Sequence, residues 1–268
     1  MTYQNICANY YLGFAKLSIW YARKRILEGS SDFENAFNER VNIFRNTSLS
    51  QNGLHPTKDV IPEWDALLKK VEQIFVEYIQ SDDTSALEQK SLDIFWPVLE
   101  ESALKAIPYR PTLDERPYES WSLDYNEDVV NIHINNVYKP DSPLSEKRPQ
   151  FAAALIRLLE DTQELNPEVT KVACGSWLNS VPTFLEIFPG VWKASGQRSK
   201  NVRYTLGHWG QFMDRRGDFH ASNGARFREM GDFPYPSLHC TDSLEAVLCH
   251  LREKFPEAIK HNQAVHNR

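Results

Sequence analysis

The chain lacks most features that announce a function outright. No apolar run approaches the ~20 residues needed to cross a bilayer as a helix, so a helical membrane protein is not expected. Tyr3 to Leu27 is apolar-rich, but Asn5, Asn9, Lys16 and Ser18 interrupt it and no charged n-region precedes it. It does not read as a secretory leader. The only cysteines, Cys7, Cys174, Cys240 and Cys249, sit far apart without paired spacing. With no export signal they read as free thiols of a reducing compartment, which makes the cytoplasm the expected location. There is also no excess of positive charge. Thirty Lys and Arg against 36 Asp and Glu give −6, which argues against a general nucleic-acid binder. Neither an internal repeat nor a low-complexity tract is present.

Enough apolar residue is there, 41% of 268, for one large domain or two modest ones. The first hundred residues carry helix periods. Ile6, Tyr10, Phe14, Leu17 and Tyr21 form a stripe that Gly29-Ser30 ends. Ser31-Asp-Phe-Glu34 has capping-box spacing before a helix with Phe37, Val41 and Phe44. Pro62 suits the first turn of a third helix, which carries Trp64, Leu68, Val71 and Phe75. A fourth is expected from Ser85 to Ile107, kinked or divided at Pro97. Pro108, Pro111 and Pro117 mark a linker. Strands then alternate with helices: a hairpin of Trp121–Tyr125 and Val129–Val137, a helix over Phe151–Leu165, a strand over Lys171–Leu178, and a short helix over Pro182–Phe188. Further strands are expected at Arg203–Phe212 and Tyr235–Cys240. A last helix is capped by Asp242-Ser-Leu-Glu245. The reading is an α+β protein, with a helical domain over 1–115 packed on a mixed-sheet domain with flanking helices over 116–268.

Chemistry concentrates in the second half. In Val130-Asn-Ile-His-Ile-Asn135 the apolar residues fall on one face and Asn131, His133 and Asn135 on the other. In Val172-Ala-Cys-Gly-Ser-Trp-Leu178, Cys174 and Ser176 share a face with Val172 and Leu178. Such a sheet is either the floor of a cleft or simply half exposed. His133 is the candidate general base, since imidazole exchanges protons near neutral pH. Cys174 and Ser176 are candidates for a nucleophile or an oxyanion donor, while Asn135 and Trp177 are candidate substrate contacts. In Leu206-Gly-His-Trp-Gly-Gln-Phe-Met-Asp-Arg-Arg216, a strand places His208 on the face of Asp214, an acid/base unit in prospect. Trp209, Gln211 and Arg215 would contact substrate. The late histidines and cysteines match no compact zinc spacing, and no metal is expected.

The strand Ile132-His-Ile134, the turn Ser142-Pro-Leu144, the helix after it and the strand ending Cys174-Gly-Ser-Trp-Leu178 together resemble the C-terminal domain of a GNAT-like bacterial acyltransferase family, over residues 120 to 190. The resemblance implies transfer of an acyl group from acyl-CoA or another thioester to an amine or hydroxyl of a small molecule. His133 or His208 would remove the acceptor proton, and N–H groups near Ser176 would polarise the carbonyl. One departure stands out. The nearest counterpart of a pyrophosphate-binding turn, Ser195-Gly-Gln-Arg-Ser-Lys200, has a single glycine. Two other classes stay open: acid–base or metal-assisted chemistry on a small anionic substrate through His208, Asp214 and Arg215, and a non-catalytic relative that binds a ligand or a protein.

Overall fold

The computed structural model describes residues 3–106 and 116–258. Pro108, Pro111 and the tail from Lys260 lie outside the described residues. In chain order the elements are α1 (Tyr3–Leu27), α2 (Phe33–Asn35) running into a π-helical turn (Ala36–Arg40), α3 (Pro62–Tyr78), α4 (Thr84–Lys105), β1 (Trp121–Asn126), β2 (Val129–Ile134), α5 (Arg148–Leu165), β3 (Lys171–Ser176), α6 (Pro182–Leu185), α7 (Gly190–Ala194), β4 (Gln197–Arg198), α8 (Leu206–Trp209), α9 (Ala221–Met230), β5 (Leu238–Ser243) and α10 (Leu244–Lys254). The protein is α+β, and no described helix is long and apolar enough to cross a membrane. Two compact units result. One comprises Met1–Pro108 with Asn201–Pro234, the other Tyr109–Lys200 with Tyr235–Arg268.

The helical unit follows its sequence signals closely at first. Tyr10, Phe14, Leu17 and Tyr21 are buried along α1. Gly29 ends that helix with φ of 65°, and the Ser30 N–H returns to the Arg25 carbonyl at 3.0 Å, the closure a C-terminal glycine permits. The next cap sits one residue later than expected: Asp32, not Ser31, accepts from the Asn35 N–H at 2.7 Å. Pro62 opens α3 as predicted, and α4 runs through Pro97 without a break.

Residues 201–234 depart from expectation, because they join the helical unit and not the sheet. The wide π-turn is the docking point. The Glu39 carbonyl accepts from the Tyr204 N–H at 2.9 Å, and the Arg40 carbonyl accepts from the Trp209 indole at 3.0 Å. The expected strand over Arg203–Phe212 is instead α8 followed by a 3-10 turn, Gly210–Phe212. Residues three apart share one side of a helical turn, so Trp209 and Phe212 both enter the core. There Trp209 meets Phe14 and Tyr21 edge-on at 5.4 and 5.6 Å, and Phe212 lies 5.1 Å from Phe227. Strand alternation would have turned one of them outward.

The sheet unit has strand order β1-β2-β3-β5-β4. β1 and β2 form the expected antiparallel hairpin. β2 runs parallel to β3, with α5 as the crossover, and β3 pairs antiparallel with β5. One face buries Val130, Ile132, Val172, Cys174 and Cys240 in a core with Phe151 through Leu159 of α5. Trp121 stacks on Phe151 at 4.3 Å and gives its indole proton to the Phe151 carbonyl. Asn179 clamps the strand ends, donating to the carbonyls of Cys174 (2.8 Å) and Leu238 (2.9 Å) while accepting from the Trp192 indole (2.9 Å). β5 starts at Leu238, later than the expected Tyr235, and Ser243, not Asp242, caps α10. The edge strand β4 is two residues long, too short to show any alternation.

Candidate active site

The candidate site is sought at the parallel pair β2–β3. In open sheets, ligands bind at the carboxyl ends of parallel strands. Here the end of β2 carries His133, with Asn135 just beyond it, and the end of β3 carries Gly175, with Trp177 just beyond it. Strand alternation directs His133 away from the core, as the sequence predicts. The antiparallel register sets Ser122 opposite His133 and Asp124 opposite Asn131, so these four side chains share the open face.

Two hydrogen bonds organise this face. The Asp124 carboxylate accepts from His133 Nε2 at 2.6 Å and from Asn131 Nδ2 at 2.9 Å. An ionised carboxylate only accepts, so Nε2 carries a proton, and in the neutral ring Nδ1 is the nitrogen left with a lone pair. The imidazole hydrogen bond, and then that of Asn131, pull the Asp124 carboxyl below its usual range. The pair stands in water: 56% of the His133 side chain and 61% of Asp124 are accessible. Asn135 is exposed, with its N–H on the Ser120 carbonyl at 2.8 Å. Trp177 lies 5.9 Å from the Tyr235 ring at the same end of the sheet. The exposed His239 on β5 pairs in register with Gly175.

Cys174 and Ser176 point into the core instead. Burial, reinforced by Cys240, pushes the Cys174 thiol up to about 12. A thiol held protonated is a poor nucleophile. Ser176 is 7% exposed, and its hydroxyl accepts from the Leu178 N–H at 3.2 Å, a local cap that occupies that donor.

The remaining candidates belong to the helical unit. His208 is buried, and burial followed by the charge of Arg203 lowers it to about 4, so the imidazole is neutral. Its Nδ1 meets Thr205 Oγ1 at 3.4 Å. Asp214 shapes its own turn, accepting from the N–H groups of Arg216 and Asp218 at 2.8 and 2.9 Å. Once the segment is a helical turn, the alternation that placed His208 beside Asp214 no longer applies. Arg215 lies in that exposed turn. Trp209 and Gln211 are fully buried, and Gln211 donates to the His208 carbonyl at 2.9 Å. Asp124 was missed in the sequence, although its place on the alternating segment 121–125 was a signal. Tyr235 gave none.

The turn over residues 195–200 does not open a helix. Gly196 follows the end of α7 and leads into edge strand β4, whereas a phosphate turn opens a helix with its N–H groups facing the anion. The described residues contain no group of three or more side chains suited to a metal ion. Comparison with protein-family models, with curated proteins and with solved structures finds no match.

Proposed function

We propose that the sheet unit is an acyl-transfer catalyst, moving an acyl group from a thioester to an amine or hydroxyl of a small molecule, with His133 as general base. What supports the reading is the hydrogen bond from His133 Nε2 to Asp124. It fixes the tautomer and turns Nδ1 into the proton acceptor, on an accessible face at the end of two parallel strands. Asp124 orients the ring and stabilises the imidazolium once it forms. Ser176 and Cys174 take no part, and no step is assigned to a CoA pyrophosphate.

The test uses the full chain with S-acetyl-N-acetylcysteamine as donor and a panel of amines and alcohols, following thiol release. Acceptor-dependent release is expected, reduced about 100-fold or more in His133→Ala, the usual range of general-base catalysis. Release that ignores the acceptor, or that survives His133→Ala intact, removes the proposal. A binding role for the same face is the second reading, favoured by the Trp177–Tyr235 ring pair at its end. It requires ligand binding to persist in His133→Ala.

A further inference from the structure

The registers of the sheet set a second histidine across from the first. β2 pairs with β3 from Val129↔Lys171 to Asn131↔Ala173, and continuing that register brings His133 level with Gly175. On the far side of β3, Gly175 pairs directly with His239. Extended in this way, the register sets His133, Gly175 and His239 in one row, all three of them exposed. β2 and β5 run in opposite directions on either side of β3. The segments His133-Ile-Asn135 and His239-Cys-Thr241 are thus related by an approximate two-fold about Gly175.

The glycine in the middle makes the row a recess. Any larger side chain there would fill the space between the imidazoles. The His239 ring leans toward it, with Nδ1 3.9 Å from where a Cβ on Gly175 would stand. Strands lie about 4.8 Å apart, so residues level with one another on β2 and β5 have Cα atoms about 10 Å apart, a span wide enough for one reacting carbonyl group. The groups facing His133 are Asp124, Asn131 and Ser122; those opposite His239 are Gly175 and Gln197.

We infer that His239 is the general acid of the reaction, opposite His133 as base, and that the acyl donor is a thioester with a poorly leaving alkyl thiolate. The inference rests on the acyl-transfer reading above. The acceptor's proton passes to His133 Nδ1 as its lone pair bonds to the carbonyl carbon. The C–S bond then breaks with its electron pair on sulfur, and sulfur takes a proton from the His239 imidazolium. His133 leaves the cycle protonated and His239 neutral; exchange with water restores both.

A leaving-group comparison tests this, using an alkyl thioester (S-acetyl-N-acetylcysteamine) and an aryl one (S-phenyl thioacetate), whose thiolate departs without help. With the alkyl donor, His239→Gln should lose about 100-fold; with the aryl donor it should stay within about 3-fold of wild type. His133→Gln should lose both. The wild-type pH profile with the alkyl donor should be a bell whose alkaline limb disappears in His239→Gln. Gly175→Val, tolerated by a strand, should retain the fold by circular dichroism and lose turnover with both donors. Equal effects of His239→Gln on the two donors, or none, overturn the general-acid role while leaving the acyl-transfer reading in place. A wild-type protein inert toward both donors removes the two together.

Discussion

The ring of Phe219 occupies the space that a side chain on Gly13 would need: a Cβ added to Gly13 would stand 2.6 Å from two of its carbons. Gly224 of α9 meets the far end of the same ring, a Cβ there standing 2.6 Å from its Cζ. Two opposing effects meet in Gly13→Ala. Alanine favours a helix interior over glycine by about 1 kcal/mol, whereas forcing an extra methyl into a filled site costs about 1–3 kcal/mol. The clash should win, lowering stability in urea denaturation. In Gly13→Ala combined with Phe219→Leu, much of the loss should return. A stabilised single variant would show that the ring moves aside freely.

Acid should weaken the helical unit through its two buried histidines. Burial, with Arg45 and Lys58 adding to it, lowers His55 to about 4, and His208 stands at about 4 as well. In the unfolded chain both titrate near 6.5. The unfolded state therefore binds protons that the folded state refuses, so the stabilisation is complete above about pH 6.5 and is lost as pH falls toward 4. The slope approaches about 1.4 kcal/mol per pH unit for each histidine. Urea midpoints at pH 7.5, 6 and 5 should fall accordingly, less steeply in His208→Gln. A flat profile would contradict the buried, neutral assignment.

Thiol chemistry should single out one cysteine. Cys7, Cys174 and Cys240 are buried and Cys249 is exposed; burial also raises Cys240 to about 11. Ellman's reagent should titrate one thiol quickly in the native protein and all four in guanidinium. Cys174→Ala should leave turnover unchanged. Two or more fast thiols, or an inactive alanine variant, would return Cys174 to the list of reactive groups.

Glu119 should resist relief of its own backbone strain. It sits at φ of 54°, a conformation that costs a non-glycine residue about 1–2 kcal/mol. Its carboxylate accepts from Arg157 at 3.0 Å and from the Tyr138 hydroxyl at 2.5 Å, and Arg157 is only 7% exposed. Removing the carboxylate from a buried guanidinium costs up to about 3–5 kcal/mol, the bond from Arg157 to the Pro117 carbonyl remaining. Glu119→Gly should therefore destabilise the sheet unit despite the easier backbone. An increase in the thermal midpoint would refute this ranking.

Local signals in the sequence were legible where one residue type decides the matter. Gly29 stops a helix, Pro62 starts one, and the alternation of Val130–Asn135 is enough by itself to turn His133 outward. Partnerships across the sheet were not legible. Which carboxylate meets His133 depends on the hairpin register, and which residue faces Gly175 depends on the order β2-β3-β5; neither leaves a trace in local spacing. The segment Arg203–Phe212 misled for a different reason. Its apolar residues fit a strand as well as a helical turn, and the choice is made by the carbonyls of Glu39 and Arg40, far away in the chain.

The discontinuity of the helical unit has a consequence for biosynthesis. Its first stretch ends at Pro108, and the segment that covers Phe14 and Tyr21 begins only at Asn201. At about 5–20 residues per second, α1, α3 and α4 wait several seconds on the ribosome with an aromatic surface open to water. A fragment ending after α4 would preserve that nascent state permanently, because the segment that covers its aromatic surface is made only after residue 200.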